Sequence, residues 1–468
     1  MTLRHLIVQL PGLGGSVLAR GGVPVWGATV AGMAKVAAKP DLVALEADDL
    51  EPVGLVNAMT VVPGLIALPG YDTMVGNLRR WFGPGLKVVD YRSGVPIPAD
   101  TDVLRVPYDF RRSVVDAAEA LARAVAETEA AGRGVVVLAH SMGGVVARYW
   151  IGALDGARRC RALITLGTPH RGAPKALDVL VNGLGLGRLR HPAATRVLRG
   201  WPSMHELLPQ YPAIWNGDRA IEPVQLPATC AWPAGDQAAG ARLLDRVGTA
   251  VKVHDDITAA WQAQGLPEVA PFYARGHSTP NRADLLDGVL RVTKVDPDWR
   301  GNVGWRGDGT VPVLSALPVE LGEFPGRWHA APDKHGPLGG TAGVRDLLLS
   351  FLGEPVPTRA GDAPDRPWIG FDLDDVAWAG DEVLVGADVL GDVEGPGVAA
   401  TVTAAGLSVP MRLHDGRWRA TLPPLPPGVH EVVVEAREAH YGASVWGKAP
   451  LVVTEPNEGW EDGKEETR

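Results

Sequence analysis

A serine lies where a buried strand turns sharply into a helix, in the stretch RGVVVLAHSMGG at residues 133–144. Residues 135–138 form a short apolar run that is typical of a strand covered on both faces in a parallel sheet. The next run, GVVARYWIGAL, has helical spacing, so the chain must turn between the two. Small residues at Ala139 and Gly143 let strand and helix approach closely, and the hydroxyl of Ser141 then projects as a nucleophile. The alternative is an ordinary turn with a capping serine.

A carboxylate and an imidazole that could activate this serine occur downstream, in the chain order Ser, Asp, His that such a turn requires. Asp308 lies between two glycines in GWRGDGTVPVLSAL, although an Asp-Gly turn is also common without any chemistry. The stretch WHAAPDKHGPLGG holds His329 and His335. We favour His335, because it lies in a Gly/Pro-rich loop from which its ring can reach the serine, whereas His329 is typical of a packed strand end.

Acyl chemistry at a serine also needs two backbone donors for the oxyanion. One is the amide of Met142, directly after the serine, and the second comes from a loop after an early strand. We expect the second in QLPGLGGSVL, at the amide of Leu13 or Gly14. A phosphate-binding interpretation of these glycines fails, because the Walker lysine and the full G-x-G-x-x-G spacing are missing.

The elements that must position these residues alternate between strand-like and helical runs, which predicts a parallel sheet with crossover helices. The strand-like runs are HLIVQL, DVLRVPYDF, VVVLAHS, RALITLGTP and EVAPFYARG. A helix from about Ser113 to Ala131 places Val114, Leu121 and Val125 on one face. The alternation lapses over about 175–266, which indicates an inserted lid.

A change in composition predicts a second domain. Residues 356–366 are a Pro-rich linker, and 367–454 contain short alternating runs bounded by Gly or Pro, typical of an independent immunoglobulin-like β-sandwich. The fold class is therefore α/β, with a mostly parallel sheet and lid over 1–355 and an all-β C-terminal domain. A charged tail, expected to be disordered, follows at 455–468.

Composition excludes several classes of protein. The 468 residues carry a net charge of −9, and no basic patch predicts nucleic-acid binding. Cys160 and Cys230 are far apart and have no C-x-x-C or His pairing, so neither a disulfide framework nor a zinc site is expected. We find no signal peptide and no transmembrane segment, which predicts a cytoplasmic protein.

Taken together, the motifs resemble those of the lecithin:cholesterol acyltransferase-like branch of the α/β-hydrolases, which includes lysosomal phospholipase A2 and bacterial lipases. The stretches that carry the resemblance extend over most of residues 5–340: LPGLGGSVL with a following VW, PYDFR, AHSMGG, LGTPHRGAPKAL, PSMHELLP, GDGTVP and HGPL. Two departures are Ala139 in place of the usual glycine and Phe110 in place of a tryptophan. The lid also lacks the cysteines of secreted animal members, which argues against a lipoprotein-type partner.

The resemblance implies a catalytic triad of Ser141, Asp308 and His335, with the amides of Leu13 and Met142 as the oxyanion hole. It implies ester cleavage through an acyl-serine, for which no metal or organic cofactor is required. Two alternatives remain open. One is an acyltransferase, in which an alcohol instead of water resolves the acyl-serine. The other is an inert ligand-binding module.

The substrate expected from the lid is a lipid or other acyl ester. The lid is rich in large apolar residues, which could pack its own core or also line a groove for an acyl chain. The residues expected to bind substrate are Trp201, Met204, Leu207 and Leu208. Such a lid allows peripheral membrane contact, and a protein partner of the β-sandwich stays unidentified.

Overall fold

The structure of the protein is a computed structural model that describes residues 3–47, 49–57, 60–62, 66–68, 70–128, 132–187, 189–226, 237–262, 265–299, 305–322, 329–331, 333–336, 341–353, 367–390, 398–438, 444–456 and 459–462. The predicted Pro-rich linker at 356–366, Cys230 and Trp232 lie outside these ranges.

A seven-stranded parallel sheet forms the centre of the N-terminal part of the chain. Its strands, in chain order, are β1 (Leu6–Leu10), β2 (Val88–Asp90), β3 (Val103–Arg105), β4 (Val135–His140), β5 (Cys160–Leu166), β6 (Glu268–Ala274) and β7 (His329–Ala331). The spatial order is β7-β6-β5-β4-β1-β3-β2, and every neighbouring pair is parallel. The predicted α/β fold with a parallel sheet is confirmed.

Helices cover both faces of this sheet. The described α-helices are α1 (Val30–Ala38), α2 (Tyr71–Phe82), α3 (Val114–Ala126), α4 (Met142–Ala153), α5 (Pro174–Asn182), α6 (Pro192–Gly200), α7 (Pro202–Glu206), α8 (Gln237–Ala260), α9 (Val313–Ala316) and α10 (Ala342–Leu352). Side chains of β4 alternate between the two faces. Val135 and Val137 pack in the core that includes α3 and α4, whereas Val136 and Leu138 pack in the core beneath α2 and α10.

In its described residues, the segment predicted as a lid contains helices α5 to α8, which pack against the body of the protein. Its apolar side chains join the larger of the two cores around the sheet. Short strands lie in the loop after β1, in this segment and after β6: Ser16–Arg20, Val23–Trp26, Leu50–Leu55, Thr60–Val62, Ile66–Leu68, Gly185–Leu186, Leu189–Arg190, Ile214–Trp215, Ala220–Ile221, Arg282–Leu286 and Val289–Thr293. The last two pair as an antiparallel hairpin.

The C-terminal region is an all-β domain of two sheets with its own core, which confirms the predicted second fold class. One sheet contains Trp368–Asp372, Val383–Leu390, Arg412–His414 and Arg417–Leu422, and the other contains Val376–Trp378, Val398–Ala404, Leu407–Pro410, Gly428–Glu438 and Ser444–Thr454. All but one of the described pairings are antiparallel. The predicted immunoglobulin-like topology and its independence stay predictions. In the tail, Glu461–Asp462 form a short strand that pairs with Leu189–Arg190.

Among the described helices, none has the length and apolarity needed to cross a lipid bilayer.

Candidate active site

Ser141 lies at the sharp turn between β4 and α4, where the sequence predicts it. Its backbone has φ 52° and ψ −127°, a conformation that a residue with a side chain rarely adopts. The Ser141 amide donates to the carbonyl of Leu166 at 2.9 Å, and the Gly144 amide donates to the carbonyl of Ser141 at 3.0 Å. The strained turn is therefore held from both sides, and its hydroxyl lies at the carboxyl edge of the sheet.

Glycines after the serine allow the close packing that this turn requires. A Cβ at Gly143 would lie 2.5 Å from the carbonyl oxygen of Pro11, in the loop that follows β1. A Cβ at Gly144 would overlap the side chain of Thr168, in the loop that follows β5. The three loops meet because the carboxyl ends of adjacent parallel strands lie at one edge of the sheet.

The structure brings Ser141, His335 and Asp308 together in one hydrogen-bonded row. His335 Nδ1 lies 2.7 Å from Asp308 Oδ2, and His335 Nε2 lies 3.0 Å from Ser141 Oγ. A carboxylate can only accept, so Nδ1 carries the proton and Nε2 is the acceptor that faces the serine hydroxyl. The other oxygen of Asp308 accepts the amides of Thr310 and Val311 at 2.9 and 2.7 Å, which fixes the carboxylate.

The electrostatic surroundings of His335 favour its protonated form. Burial opposes the charged imidazolium, but the carboxylates of Asp308 and Asp375 outweigh it, and the pKa of His335 is raised above its ordinary value. Asp308 is 2% exposed and His335 is 3% exposed, so water screens this interaction little. The site can therefore stabilise a proton that arrives on His335 Nε2.

The loop expected to supply the second oxyanion donor is held by two tyrosines on one peptide unit. The hydroxyl of Tyr108 donates to the carbonyl of Pro11 at 2.6 Å, and the amide of Gly12 donates to the hydroxyl of Tyr71 at 2.8 Å. These two groups belong to the same Pro11–Gly12 peptide. Its orientation is therefore fixed on both sides, directly before the amide of Leu13.

His140, the residue before the serine, connects this loop to His335. Its Nε2 lies 3.2 Å from the carbonyl oxygen of His335, and its Nδ1 lies 2.9 Å from the hydroxyl of Tyr71. A carbonyl can only accept, so Nε2 is the donor and Nδ1 accepts from Tyr71. Burial and the neighbouring His335 lower the pKa of His140 to about 3, so its ring is neutral.

The amide of Met142 directly follows the serine, and the amide of Leu13 directly follows Gly12, where an added Cβ would lie 2.8 Å from Ser141 Cβ. Met142 is the first residue of α4, and an amide at that position has no partner within its own helix. Among the described residues, no backbone acceptor outside the helices and strands pairs with either amide. The role of the two amides as an oxyanion hole stays a prediction.

The four residues expected to bind substrate are buried in the main core. Trp201, Met204, Leu207 and Leu208 are between 0 and 8% exposed. Trp201 packs edge-on against Phe110 and donates its indole N–H to the carbonyl of Val43 at 3.1 Å. In the described part of the chain these residues pack the interior, and their assignment to an acyl-chain groove stays a prediction.

A cavity of about 490 Å³ lies beside His335, between α2, the carboxyl ends of β1, β4 and β5, and the C-terminal domain. Tyr71, His140 and His335 border it on one side, and Val429 and Ala449 of the β domain border it on the other. Its wall is mostly apolar. None of the four predicted substrate residues is among its described lining residues.

Other residues of the site were not predicted from sequence. Tyr71 has no local signal, since its contacts with Gly12 and His140 depend on partners distant in the chain. His140 and Tyr108 have a signal, because they lie inside the motifs AHSMGG and PYDFR, but those motifs do not assign a role to either side chain. His329 lies in β7, where its backbone pairs with Phe272.

One family model matches the chain. It is the model described as lecithin:cholesterol acyltransferase, and it covers residues 87–236. The predicted resemblance to this family is confirmed. The matched range contains Ser141 and ends before Asp308 and His335, so the pairing of these two with the serine rests on the distances given above.

Phe110 and Arg111 of the motif PYDFR have structural roles. Arg111 pairs with Asp109 at 2.8 Å and donates to the carbonyls of Ala44 and Ala47 at 2.7 and 2.9 Å. Phe110 lies between the rings of Trp26 and Trp201. The motif therefore connects the loop after β1 to the helical insertion, and its Tyr108 reaches the serine's surroundings.

Comparisons with curated proteins and solved structures carry less information on the fold than the family match. No curated protein matches the chain. A Bacillus licheniformis lipase, BlEst2, is similar in its mature form at 13% identity and a TM-score of 0.36, over 74% of this chain and 91% of the lipase. In its propeptide form the values are 12% identity and a TM-score of 0.37, over 95% and 93%. Both TM-scores lie below 0.5, so the fold class rests on the sheet and its order.

Proposed function

We propose that the protein is a serine hydrolase that cleaves carboxylic esters through an acyl-serine at Ser141. The observation that carries the proposal is the buried row of Ser141, His335 and Asp308, with contacts of 3.0 and 2.7 Å. This arrangement provides a nucleophile, a base that accepts its proton and a carboxylate that orients the base. All three members are present, which argues against an inert binding module.

The reaction follows from these positions. His335 Nε2 accepts the proton as Ser141 Oγ attacks the ester carbonyl, and Asp308 stabilises the imidazolium without taking the proton. The amides of Leu13 and Met142 would hold the tetrahedral oxyanion, each contributing about 3 kcal/mol. The imidazolium then gives its proton to the departing alcohol, which leaves the acyl-serine. A water molecule, activated by the same nitrogen, releases the acid.

The substrate class is proposed from the family. The family name, lecithin:cholesterol acyltransferase, contains a lipid acyl ester, lecithin, as the acyl donor. Residues 87–236 of this chain match the model of that family. Lipid acyl esters are therefore our proposed substrates. Transfer to an alcohol uses the same triad, and the family match supports hydrolysis and acyl transfer alike.

Alanine variants of the triad test this proposal. Ser141→Ala removes the nucleophile from a turn whose hydroxyl serves chemistry, so hydrolysis of p-nitrophenyl butyrate is expected to disappear while thermal unfolding stays near that of the wild type. His335→Ala is expected to abolish turnover as well, and His329→Ala is the matched control that retains it. Full activity of Ser141→Ala, or a larger loss in His329→Ala than in His335→Ala, would overturn the assignment.

A further inference from the structure

The β domain contacts the hydrolase part at the loop after β6, which is bonded to the loop of Asp308, and at the loop that carries His335. On the Asp308 side, the amide of Ser278 donates to the carbonyl of Phe371 at 2.8 Å, and the amide of Phe371 donates to His277 Nδ1 at 3.1 Å. The next residue, Thr279, accepts the amides of Gly307 and Gly309 at 3.1 and 3.0 Å, on both sides of Asp308.

On the His335 side, the contact is made by the residue directly before the histidine. Lys334 Nζ lies 2.6 Å from the carbonyl oxygen of Leu373 and 2.5 Å from Asp375 Oδ1, both in the β domain. The Lys334 side chain is only 6% exposed. Asp375 is itself fixed, because its carbonyl accepts the amide of Val452 at 2.9 Å. The β domain therefore binds the residue directly before His335.

The backbone of His335 has two further contacts within the hydrolase part. Its amide donates to the carbonyl of Asp308 at 3.1 Å, and its carbonyl accepts from His140 Nε2 at 3.2 Å. These bonds hold the peptide groups on either side of His335. The Lys334 side chain adds an anchor from outside the hydrolase part, and breaking a buried ion pair leaves a charge without its partner.

We propose that the C-terminal β domain contributes positioning residues to the catalytic site. Asp375 and the carbonyl of Leu373 bind Lys334 and so hold His335 in reach of Ser141. The inference rests on the proposed function, since it assigns positioning residues to the same triad. Lys334 acts through the backbone of the His335 loop, and Asp375 acts through its contact with Lys334 and by its charge near His335.

The decisive comparison uses Lys334→Met and the double variant Lys334→Met/Asp375→Asn, which leaves no unpaired carboxylate. Each removes the anchor, and each is expected to lower kcat on p-nitrophenyl butyrate about tenfold or more with little change in KM, because small misplacements of a catalytic group are costly. Thermal unfolding identifies the folded variants, and the double variant provides the comparison if the single one is unstable.

Lys294→Met is the matched control. Lys294 also crosses from the hydrolase part to the β domain, where its Nζ lies 3.3 Å from Asp372 and 3.2 Å from Asp374, but it is not next to the catalytic histidine. Its loss weakens docking of the domain without releasing the His335 loop, and kcat is expected to stay within about twofold of the wild type.

A pH profile separates positioning from a general loss of structure. Among the described residues, the charged groups that act on His335 are Asp308 and Asp375, and Lys334 pairs with Asp375. The neutral ring of His140 lies beside His335. Asp375→Asn keeps an oxygen acceptor for Lys334 but removes a carboxylate that raises the pKa of His335, so the acid limb of kcat/KM should move to lower pH. Lys334→Met leaves Asp375 without its cation, and the limb should move to higher pH.

The proposal would be supported if the acid limb of kcat/KM moves in opposite directions in Asp375→Asn and Lys334→Met, and if Lys334→Met also loses kcat. It is overturned if both folded Lys334 variants keep kcat within twofold of the wild type, or if Lys294→Met loses as much as they do. The proposed function fails separately, through retained turnover in Ser141→Ala. If Ser141→Ala is inactive and Lys334→Met is fully active, the proposed hydrolase function is supported and only the role of the β domain is contradicted.

Discussion

Gly12→Ala is expected to lower kcat strongly, because the added methyl group has no room beside the nucleophile. A Cβ at Gly12 would lie 2.8 Å from Ser141 Cβ and 3.1 Å from His140 Nδ1. Carbon atoms prefer about 3.5–4.0 Å, so the loop must retreat by roughly 1 Å. The backbone at Gly12 does not have the positive φ that favours glycine, so the contact alone decides the effect.

The size of the loss follows from the oxyanion donor that we propose for this loop. The amide of Leu13 lies directly after Gly12, and removal of one oxyanion donor costs about 10²–10³ in kcat, or about 2.7–4 kcal/mol. Tyr71 and Tyr108 hold the preceding peptide, so the loop cannot yield without breaking their hydrogen bonds. We therefore expect kcat to fall about 10²-fold or more, with a smaller change in KM.

The assay is steady-state hydrolysis of p-nitrophenyl butyrate, with thermal unfolding measured in parallel. Gly76→Ala is the matched control, since Gly76 is exposed in α2 and a Cβ there has nothing within 4 Å. That control is expected to keep full activity and to gain up to about 1 kcal/mol of stability. A folded Gly12→Ala protein with kcat within threefold of the wild type would refute the reasoning.

Three further predictions concern the same site. Tyr71→Phe removes the acceptor of the Gly12 amide and the donor to His140, so kcat should fall about tenfold or more. Tyr91→Phe is the control, since the Tyr91 hydroxyl bonds Glu127, and it should leave kcat unchanged. Equal activity of the two variants would contradict this prediction. Because the pKa of His335 is raised and the base must be neutral, kcat/KM should fall as pH drops through a value above about 6.5, and an acid limb below 6 would argue against it. Along p-nitrophenyl esters below micelle-forming concentrations, kcat/KM should rise with chain length, by about 0.8 kcal/mol per buried methylene, and a steady preference for acetate would remove the lipid assignment.

Residues whose role is set by local pattern and chain order could be predicted from sequence. The strand β4, the turn at Ser141 and the helix α4 follow from an apolar run, small residues and helical spacing. Asp308 and His335 follow from the order that such a turn demands, and the structure brings both within hydrogen-bond distance of a partner in the row. The second fold class followed from the change to short alternating runs.

Residues whose role depends on distant partners could not be predicted. Tyr71 reaches Gly12 across 59 positions, and Lys334 reaches Asp375 in a different domain, so neither leaves a local pattern. The apolar residues around Trp201 show a different difficulty. A buried core and an acyl-chain groove require the same residue types, and composition alone cannot distinguish them.

The central claim is that Ser141 is the nucleophile, and a fluorophosphonate probe tests it most directly. The probe forms a covalent bond with a serine only where a base accepts its proton, as His335 is placed to do at 3.0 Å. After reaction with the folded protein, mass spectrometry of its peptides should find the phosphonyl group on Ser141, and His335→Ala should prevent it. Unmodified Ser141 in a protein that hydrolyses esters, or modification at another serine instead, would contradict the account.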